Sequence, residues 1–196
     1  PADSDEIAGK LATTKHRMID APVGRLARNA VEGTLLFMVG GSESDLEHAR
    51  PLLDLLGDKI VHCGSVGMGS RMKIVNNYQS TSLNVLTAET LTLAEASGLD
   101  VNLAIEVMRE TTAGRGHMNA TYPDQVLSGN IKPGFMIDLA HKDLGLALET
   151  MAKHHTPAFL GAAARQSYSI AQSSGQGRND WTAIYLTLRK IAGLEP

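Results

Sequence analysis

The sequence of 196 residues has one cysteine, no regular spacing among its histidines and no long apolar run. Its one cysteine, Cys63, cannot form an internal disulfide, and without cysteine pairs a structural zinc site is not expected. The seven histidines lack an HExxH-like spacing, so we predict no metal site. No apolar run reaches the ~18 residues of a membrane span, and the first residues lack the pattern of a signal peptide. The cytoplasm is therefore the expected location.

The charge balance and the low aromatic content exclude further classes. The formal net charge is −3, from 18 Lys and Arg against 21 Asp and Glu. Such a balance argues against a surface that neutralises nucleic-acid phosphates or attracts anionic lipid. Aromatic residues make up only 4% of the chain, which favours helices packed through small residues over a β-sandwich. The hydrophobic share of 43% is enough for a buried core.

Residues 1–63 alternate between predicted helices and strands, as half of an α/β sheet does. The run 33–41 is the clearest strand, because continuous apolar residues bounded by glycines indicate burial on both faces. Three strands alone would leave unpaired edges, so we expect this region to be the later part of a larger domain. The predicted elements are a helix from Ser4, strands over 17–23, 33–41 and 59–63, and a helix from Ser42 to about Leu56.

From residue 64 onwards the sequence predicts helices alone. Residues 70–97 contain neither Pro nor Gly, and Gly98 ends the run as a residue just after a helix does. At ~1.5 Å per residue this helix is about 40 Å long. The sequence therefore predicts an all-helical region built around one long helix, and the further helices are expected at about 101–111, 118–127, 138–153, 158–174 and 180–192.

One face of the long predicted helix is polar where a core stripe would carry leucine. Lys73, Asn76, Asn77 and Ser80 stand at positions i, i+3, i+4 and i+7, which lie on one side of a helix. A lysine with amides one turn away can donate a proton to the oxygen of a carbonyl that is being reduced. The alternative interpretation is a solvated face of an amphipathic helix.

Two other places carry charged candidates. Arg25 follows the turn Asp20-Ala-Pro-Val-Gly24 at the end of a predicted strand, where its guanidinium could hold an anionic substrate group. The alternative is an ordinary surface arginine. Lys142 stands four residues after Asp138, a spacing that predicts an ion pair on one helix. His141 has no evident partner in the sequence, and we interpret it as structural.

The sequence contains no G-x-G-x-x-G and no G-x-x-x-x-G-K-[ST] pattern. The pairs Gly67-x-Gly69, Gly114-x-Gly116 and Gly175-x-Gly177 all lack the third glycine. These residues therefore hold no dinucleotide-binding fingerprint of their own.

An ordered set of motifs resembles the β-hydroxyacid dehydrogenase family, which includes the 3-hydroxyisobutyrate dehydrogenases. The motifs are Asp20-Ala-Pro-Val, Gly33-Thr-Leu…Val-Gly-Gly41, Gly67-x-Gly69-x-x-x-Lys73-x-x-Asn-Asn77 and Lys142-Asp143-Leu. The resemblance implies that 1–63 is the C-terminal half of an NAD(P)-binding Rossmann-type domain whose glycine-rich loop precedes Pro1. It implies that 64–196 is an all-helical substrate and dimerisation domain, and that the protein is an oxidoreductase using NAD or NADP.

The same resemblance assigns roles to individual residues. Lys73 is then the catalytic lysine and Asn77 orients the substrate beside it. Gly24, Arg25, Asn76 and Ser80 are the implied substrate-binding residues, and Phe135, Lys142 and Asp143 are the implied cofactor-binding residues near the nicotinamide. The family's usual Pro-Val-Ser-Gly-Gly loop is replaced here by Pro22-Val-Gly-Arg-Leu26.

This replaced loop is most similar to that of family members that reduce 3-sulfolactaldehyde, so the expected substrate is a small anionic aldehyde with a sulfonate. A carboxylate substrate, such as 3-hydroxyisobutyrate or tartronate semialdehyde, is the alternative, because Arg25 could hold either anion. A third possibility is an inactive fragment that only covers substrate or binds partners. The family resemblance also implies a homo-oligomer.

Overall fold

The computed structural model describes residues 2–117 and 121–194. The chain forms two units, one of residues up to Ser82 and one of residues from Leu83 onwards. This division falls inside the long helix, and the domain boundary predicted between residues 63 and 64 stays a prediction. Within the described ranges, no helix is long and apolar enough to cross a membrane.

The first unit combines a three-stranded sheet with helices, as predicted for this region. The elements are α1 (Ala2–Leu11), β1 (Val23–Gly24), α2 (Ala27–Val31), β2 (Leu35–Gly40), α3 (Glu43–Leu53), β3 (Gly57–Gly64) and the first part of α4 (Met68–Ala96). The strand order in the sheet is β1-β2-β3, with β1 antiparallel and β3 parallel to the central strand.

The central strand β2 is buried on both faces, which confirms the interpretation of its continuous apolar run. Phe37, Met38 and Val39 point alternately to the two faces and are 5%, 4% and 0% exposed. Phe37 and Val39 form the core of this unit with Leu46 and Leu53 of α3. Strand β2 is therefore the buried strand to which the neighbouring strands β1 and β3 are paired.

Helix α3 begins as predicted and ends earlier than predicted. Ser42 is its N-cap, since the hydroxyl oxygen accepts the backbone N–H of Asp45 at 3.1 Å. The helix stops at Leu53, and β3 begins at Gly57, two residues before the predicted start.

The predicted strand over 17–23 is wrong in its extent. Only Val23–Gly24 pairs as a strand, apart from an isolated bridge between Asp20 and Gly40. Pro22 has no N–H to donate, so the ladder is interrupted between these two points. The segment from Asp20 to Gly24 still runs along β2, which fixes the position of the predicted substrate loop within the first unit.

The second unit is helical in its described residues apart from one isolated bridge between Met136 and Asp180. Ile137, Ala171 and Ala183 are fully buried at its core. Beyond the end of α4, its elements are α5 (Val101–Glu110), α6 (Thr112–Arg115), α7 (Tyr122–Asp124), a 3-10 turn (Val126–Ser128), α8 (Ile137–Lys153), α9 (Phe159–Ser173), a second 3-10 turn (Trp181–Ala183) and α10 (Ile184–Ile191).

The long helix is confirmed, and one shorter helix is confirmed only in part of its predicted range. Helix α4 ends at Ala96, and Gly98 follows with a φ of 80°, the left-handed conformation expected just after a helix. Of the helix predicted over 118–127, the described residues form the short helix α7 at 122–124 and a 3-10 turn at 126–128. Gln125 between them is not helical, and Gly129, with a φ of 79°, ends the second segment. Residues 118–120 of that prediction lie outside the described residues.

Candidate active site

Lys73 contacts the predicted substrate loop directly. Helix α4 begins at Met68, so Lys73 lies in its second turn, where it is half-buried. Its Nζ donates a hydrogen bond to the backbone carbonyl of Val23 at 2.6 Å. The structure therefore joins the predicted proton donor to the segment that precedes Gly24 and Arg25.

Three more predicted residues follow Lys73 along α4. Asn76, Asn77 and Ser80 are exposed, and their spacing on the observed helix places them on the side that carries Lys73. The amide Nδ2 of Asn76 lies 3.4 Å from Oδ1 of Asn77, so these two side chains are within hydrogen-bonding range of each other. An accessible row of amide and hydroxyl groups beside a lysine can bind a polar substrate.

Arg25 is held by two partners and by an unusual backbone conformation. Its Nη1 donates to the carbonyl of Thr34 at 2.5 Å and to Oδ1 of Asp58 at 2.6 Å. Its φ is 71°, a left-handed conformation that non-glycine residues rarely adopt. Gly24, by contrast, has room for a side chain, since an added Cβ would lie 3.6 Å from Leu36 and Met38.

Phe135 lies at a cavity in the second unit. The cavity has a volume of about 420 Å³, and its lining includes Phe135, Gln125, Asp180 and Trp181. The rings of Phe135 and Trp181 meet edge to face with centroids 5.3 Å apart. Asp180 is 1% exposed and accepts the backbone N–H groups of Gly134 and Phe135. The loop that carries Phe135 is thus fixed beside the cavity.

The predicted ion pair between Asp138 and Lys142 is wrong. Lys142 pairs with the adjacent Asp143 at 3.1 Å, and both side chains are more than half exposed. Asp138 is occupied elsewhere, because its Oδ1 accepts a hydrogen bond from Gln172 at 2.7 Å. His141 has a partner after all, since its Nε2 lies 3.0 Å from the hydroxyl of Ser169.

An aromatic cluster around His117 was not predicted from the sequence. The imidazole of His117 meets Trp181 at 4.8 Å and Tyr122 at 5.8 Å, both edge to face. Burial lowers the pKa of His117, so the neutral imidazole is favoured. Burial also raises the pKa of Tyr122, and it raises that of Tyr168 to about 12. Each of these shifts favours the uncharged form of its side chain.

Asp58 was missed as well, because it stands 33 residues from Arg25 and lies in β3, whereas Arg25 follows β1. Nothing in the local sequence around either residue predicts their contact.

In the ranges that the structure describes, no group of three or more His, Cys, Asp and Glu side chains is placed to hold a metal ion.

Two protein-family models together match nearly the whole chain. Residues 67–188 match the model described as NAD-binding of NADP-dependent 3-hydroxyisobutyrate dehydrogenase. Residues 1–64 match the NAD binding domain of 6-phosphogluconate dehydrogenase.

Curated proteins with similar sequences include several reductases and dehydrogenases. The chain is 45% identical over 194 residues to 3-sulfolactaldehyde reductase from Escherichia coli, covering 99% of this chain and 65% of that protein. It is 35% identical over 176 residues to 2-(hydroxymethyl)glutarate dehydrogenase from Eubacterium barkeri, covering 90% and 58%. The chain therefore spans less than two thirds of the length of these relatives.

Solved structures give the same fold. A 3-hydroxyisobutyrate dehydrogenase from Mycobacterium tuberculosis, solved with L-serine, has a TM-score of 0.56 at 33% identity, covering 96% of this chain and 66% of its own. An imine reductase from Myxococcus stipitatus reaches a TM-score of 0.86 at 16% identity, covering 96% and 67%. At that low identity the second comparison shows the fold alone.

Proposed function

The chain belongs to the 3-hydroxyisobutyrate dehydrogenase family, and within it we propose an NAD(P)H-dependent reductase of a small anionic aldehyde. The observation that carries this proposal is the contact between Lys73 and Val23. It places an ammonium group beside the loop of Arg25, within one unit of the protein.

The proposed proton donor is Lys73. A lysine ammonium has three N–H donors, and Val23 accepts one of them. The remaining donors can reach the oxygen of a substrate carbonyl, and proton transfer from Lys73 then turns the developing alkoxide into a hydroxyl. The reduced nicotinamide, when bound, supplies the hydride to the carbonyl carbon. Asn77, one turn further along α4, is the proposed residue that orients the substrate.

The proposed anion site combines Arg25 with Asn76 and Ser80. Among the described residues, acceptors for Arg25 are found only at Nη1, and the side chain is 36% exposed, so the edge formed by Nε and Nη2 is the one that we propose binds the anion. That edge offers parallel N–H groups to two oxygens of a sulfonate or a carboxylate. A sulfonate has a third oxygen, for which the exposed Asn76 and Ser80 offer donors.

The finer substrate assignment is 3-sulfolactaldehyde, with 2,3-dihydroxypropane-1-sulfonate as the product. It is supported by the 45% identity to a 3-sulfolactaldehyde reductase and by the loop Pro22-Val-Gly-Arg25. The alternative is a carboxylate semialdehyde, which is supported by 34% identity to the mouse mitochondrial 3-hydroxyisobutyrate dehydrogenase.

Phe135, Lys142 and Asp143 of the second unit are the residues that we propose for the nicotinamide end of NAD or NADP. Phe135 offers an aromatic edge at a cavity of about 420 Å³, and Lys142 is an exposed cation with Asp143 beside it. Lys142 and Asp143 are not among the residues that line this cavity, and their side chains can bind a ribose hydroxyl or a phosphate. The pyrophosphate needs a glycine turn at a helix N-terminus, for which these residues hold no fingerprint.

Oxidation of NADH and NADPH in the presence of candidate aldehydes tests the proposal. Because the chain spans 65% of the length of a 45% identical relative, the assay uses the protein at its full length. We expect a higher kcat/KM with 3-sulfolactaldehyde than with tartronate semialdehyde or methylmalonate semialdehyde. A preference for either carboxylate supports the alternative, and no turnover with any of the three contradicts the proposed activity.

We also propose a cytoplasmic homo-oligomer. Apolar side chains are exposed along α4, where Val75, Leu83 and Leu86 are each more than 40% exposed. Burying these side chains against a second copy of the chain would be favourable. The mass of the protein in solution, measured by light scattering, is expected to be a multiple of the monomer mass. A monomer at micromolar concentration contradicts this part of the proposal.

A further inference from the structure

The carboxylate of Asp20 caps the start of α4 with both of its oxygens. Oδ1 accepts the backbone N–H of Gly67, and Oδ2 accepts that of Ser70, each at 2.6 Å. Asp20 is 8% exposed, so these bonds form away from bulk water. The first N–H groups of a helix have no partner within the helix, and a carboxylate is a strong acceptor for them.

The backbone of Asp20 is fixed just as firmly on the central strand. Its N–H donates to Gly40 at 2.9 Å, and its carbonyl accepts from Gly40 at 2.8 Å. A Cβ added at Gly40 would collide with the Asp20 carboxylate and lie 2.8 Å from the nitrogen of Gly69. A Cβ at Gly69 would in turn lie 2.8 Å from the carbonyl of Asp20. Strand β2, the substrate loop and α4 therefore meet with no room for a methyl group.

This junction is linked to the proposed proton donor through two short paths. Val23 stands three residues after Asp20, and Lys73 stands three residues after Ser70. Two hydrogen bonds therefore connect the loop with α4: one from Ser70 N–H to the Asp20 carboxylate, and one from Lys73 Nζ to the Val23 carbonyl. The loop and the helix are thus joined at two points about one helical turn apart, so a shift at the first point displaces the second.

We propose that Asp20 is a positioning residue, which sets the distance between Lys73 and the substrate loop by tying that loop to the start of α4. The inference rests on the proposed function, because it assigns Asp20 an effect on the step that Lys73 performs. Misplacement of a reacting group by about 1 Å can lower a rate by about a hundredfold. Loss of the tie should therefore lower kcat more than it raises KM.

A purely structural cap is the competing explanation, and the chain contains a matched control for it. Asp100 caps α5 in the second unit, where its Oδ1 accepts the backbone N–H of Leu103 at 2.9 Å. Replacing Asp100 removes a helix cap of the same chemistry at a helix that carries none of the proposed catalytic residues. A structural effect alone would make the Asp20 and Asp100 variants behave alike.

The test measures kcat, KM and the urea midpoint for Asp20→Asn, Asp20→Ala and Asp100→Ala in the full-length protein. Both alanine variants should unfold at lower urea concentration. Only the Asp20 variants should lose kcat, by about tenfold or more for alanine. Asparagine should recover part of this loss, since its amide oxygen can accept one of the two N–H groups. If Asp20→Ala does not fold, Asp20→Asn alone carries the comparison with Asp100→Ala.

A double variant separates this inference from the proposed function. If Asp20 acts through Lys73, Asp20→Asn should lower kcat little further when Lys73 is already alanine. Equal effects in both backgrounds, or an unchanged kcat in both Asp20 variants, overturn the inference while leaving the reductase in place. An inactive wild-type protein, or a fully active Lys73→Ala variant, instead overturns the proposed function and this inference with it.

Discussion

Arg25 and Asp58 form an ion pair, with Nη1 and Oδ1 separated by 2.6 Å and the two side chains 36% and 51% exposed. Thr34 accepts from the same nitrogen, so the guanidinium is held at Nη1 while its Nε and Nη2 edge points elsewhere. Asp58 would therefore have two opposing effects on an anion bound at that edge, as proposed above. It orients the guanidinium, and its own negative charge weakens the attraction.

Replacing Asp58 by asparagine should strengthen the binding of anionic substrates. The amide oxygen can still accept from Nη1, so the orientation is kept while the charge is removed. We expect KM for 3-sulfolactaldehyde to fall about two- to fourfold at low salt, the size of a Coulomb interaction across the guanidinium in water. High salt should abolish the gain. Glu32→Gln, an exposed acid of the same unit, is the control, and an equal gain in that variant contradicts the explanation.

Arg25 should show a conflict between stability and function. Its φ of 71° is costly for any residue with a side chain, but not for glycine. Arg25→Gly should therefore be more stable than Arg25→Ala by about 0.5 to 1 kcal/mol, after allowing for the greater unfolded-state entropy of glycine. Urea unfolding of the two variants measures this difference.

Both Arg25 variants should lose kcat/KM on anionic aldehydes by about 10- to 100-fold or more, the value of a charge-assisted hydrogen bond. An uncharged short aldehyde is the control substrate and should be affected little. Equal losses on both substrates would rule out the role of Arg25 as an anion clamp.

Glu89 should stabilise a distant helix. Its carboxylate accepts the backbone N–H groups of Leu160 and Gly161 at 2.9 and 3.3 Å, and the N-cap of α9, Ala158, has no side chain that could do so. We expect Glu89→Ala to lower the free energy of unfolding by about 0.5 to 2 kcal/mol, the usual value of a cap. Glu95→Ala on the same helix is the control. Equal losses in the two variants contradict the capping role.

Cys63 should react slowly with alkylating agents. Burial raises the pKa of its thiol, and the negative charge of Asp20 raises it further, so the reactive thiolate is scarcer at pH 8 than in an unperturbed thiol. The pH at which iodoacetamide reacts at half its maximal rate should exceed that of the urea-unfolded chain. It should fall in Asp20→Asn. Cys63 is the only cysteine in these 196 residues, so their alkylation reports one site. Identical pH profiles for folded and unfolded chains would contradict this prediction.

Local signals in the sequence predicted local structure well. The run that became β2 is apolar throughout, and a strand buried on both faces is the structure that such a run favours. Ser42 and Gly98 marked a helix start and a helix end because capping depends on residues within one turn. The face of α4 that carries Lys73 was predicted from helical spacing alone.

Contacts between distant residues could not be predicted in this way. The strand expected over 17–23 depends on which N–H groups face β2, and Pro22 removes one of them. The pairing of Arg25 with Asp58 depends on the register of strands in the sheet. The spacing of Asp138 and Lys142 on one helix predicted an ion pair between them. Instead, Gln172 from another helix donates a hydrogen bond to the Asp138 carboxylate. The contacts that were missed, Arg25 with Asp58 and Asp138 with Gln172, join residues 33 and 34 positions apart in the sequence.

The most direct test of the central claim, that this protein reduces an anionic aldehyde with Lys73 as proton donor, is the kcat of Lys73→Ala in the full-length protein. Loss of positioned acid–base catalysis should lower kcat for 3-sulfolactaldehyde about 10²- to 10⁴-fold, while the dissociation constant of NADH changes little. Lys59→Ala, an exposed lysine on β3, should keep full activity. A Lys73→Ala variant that turns over at close to the wild-type rate would contradict the account.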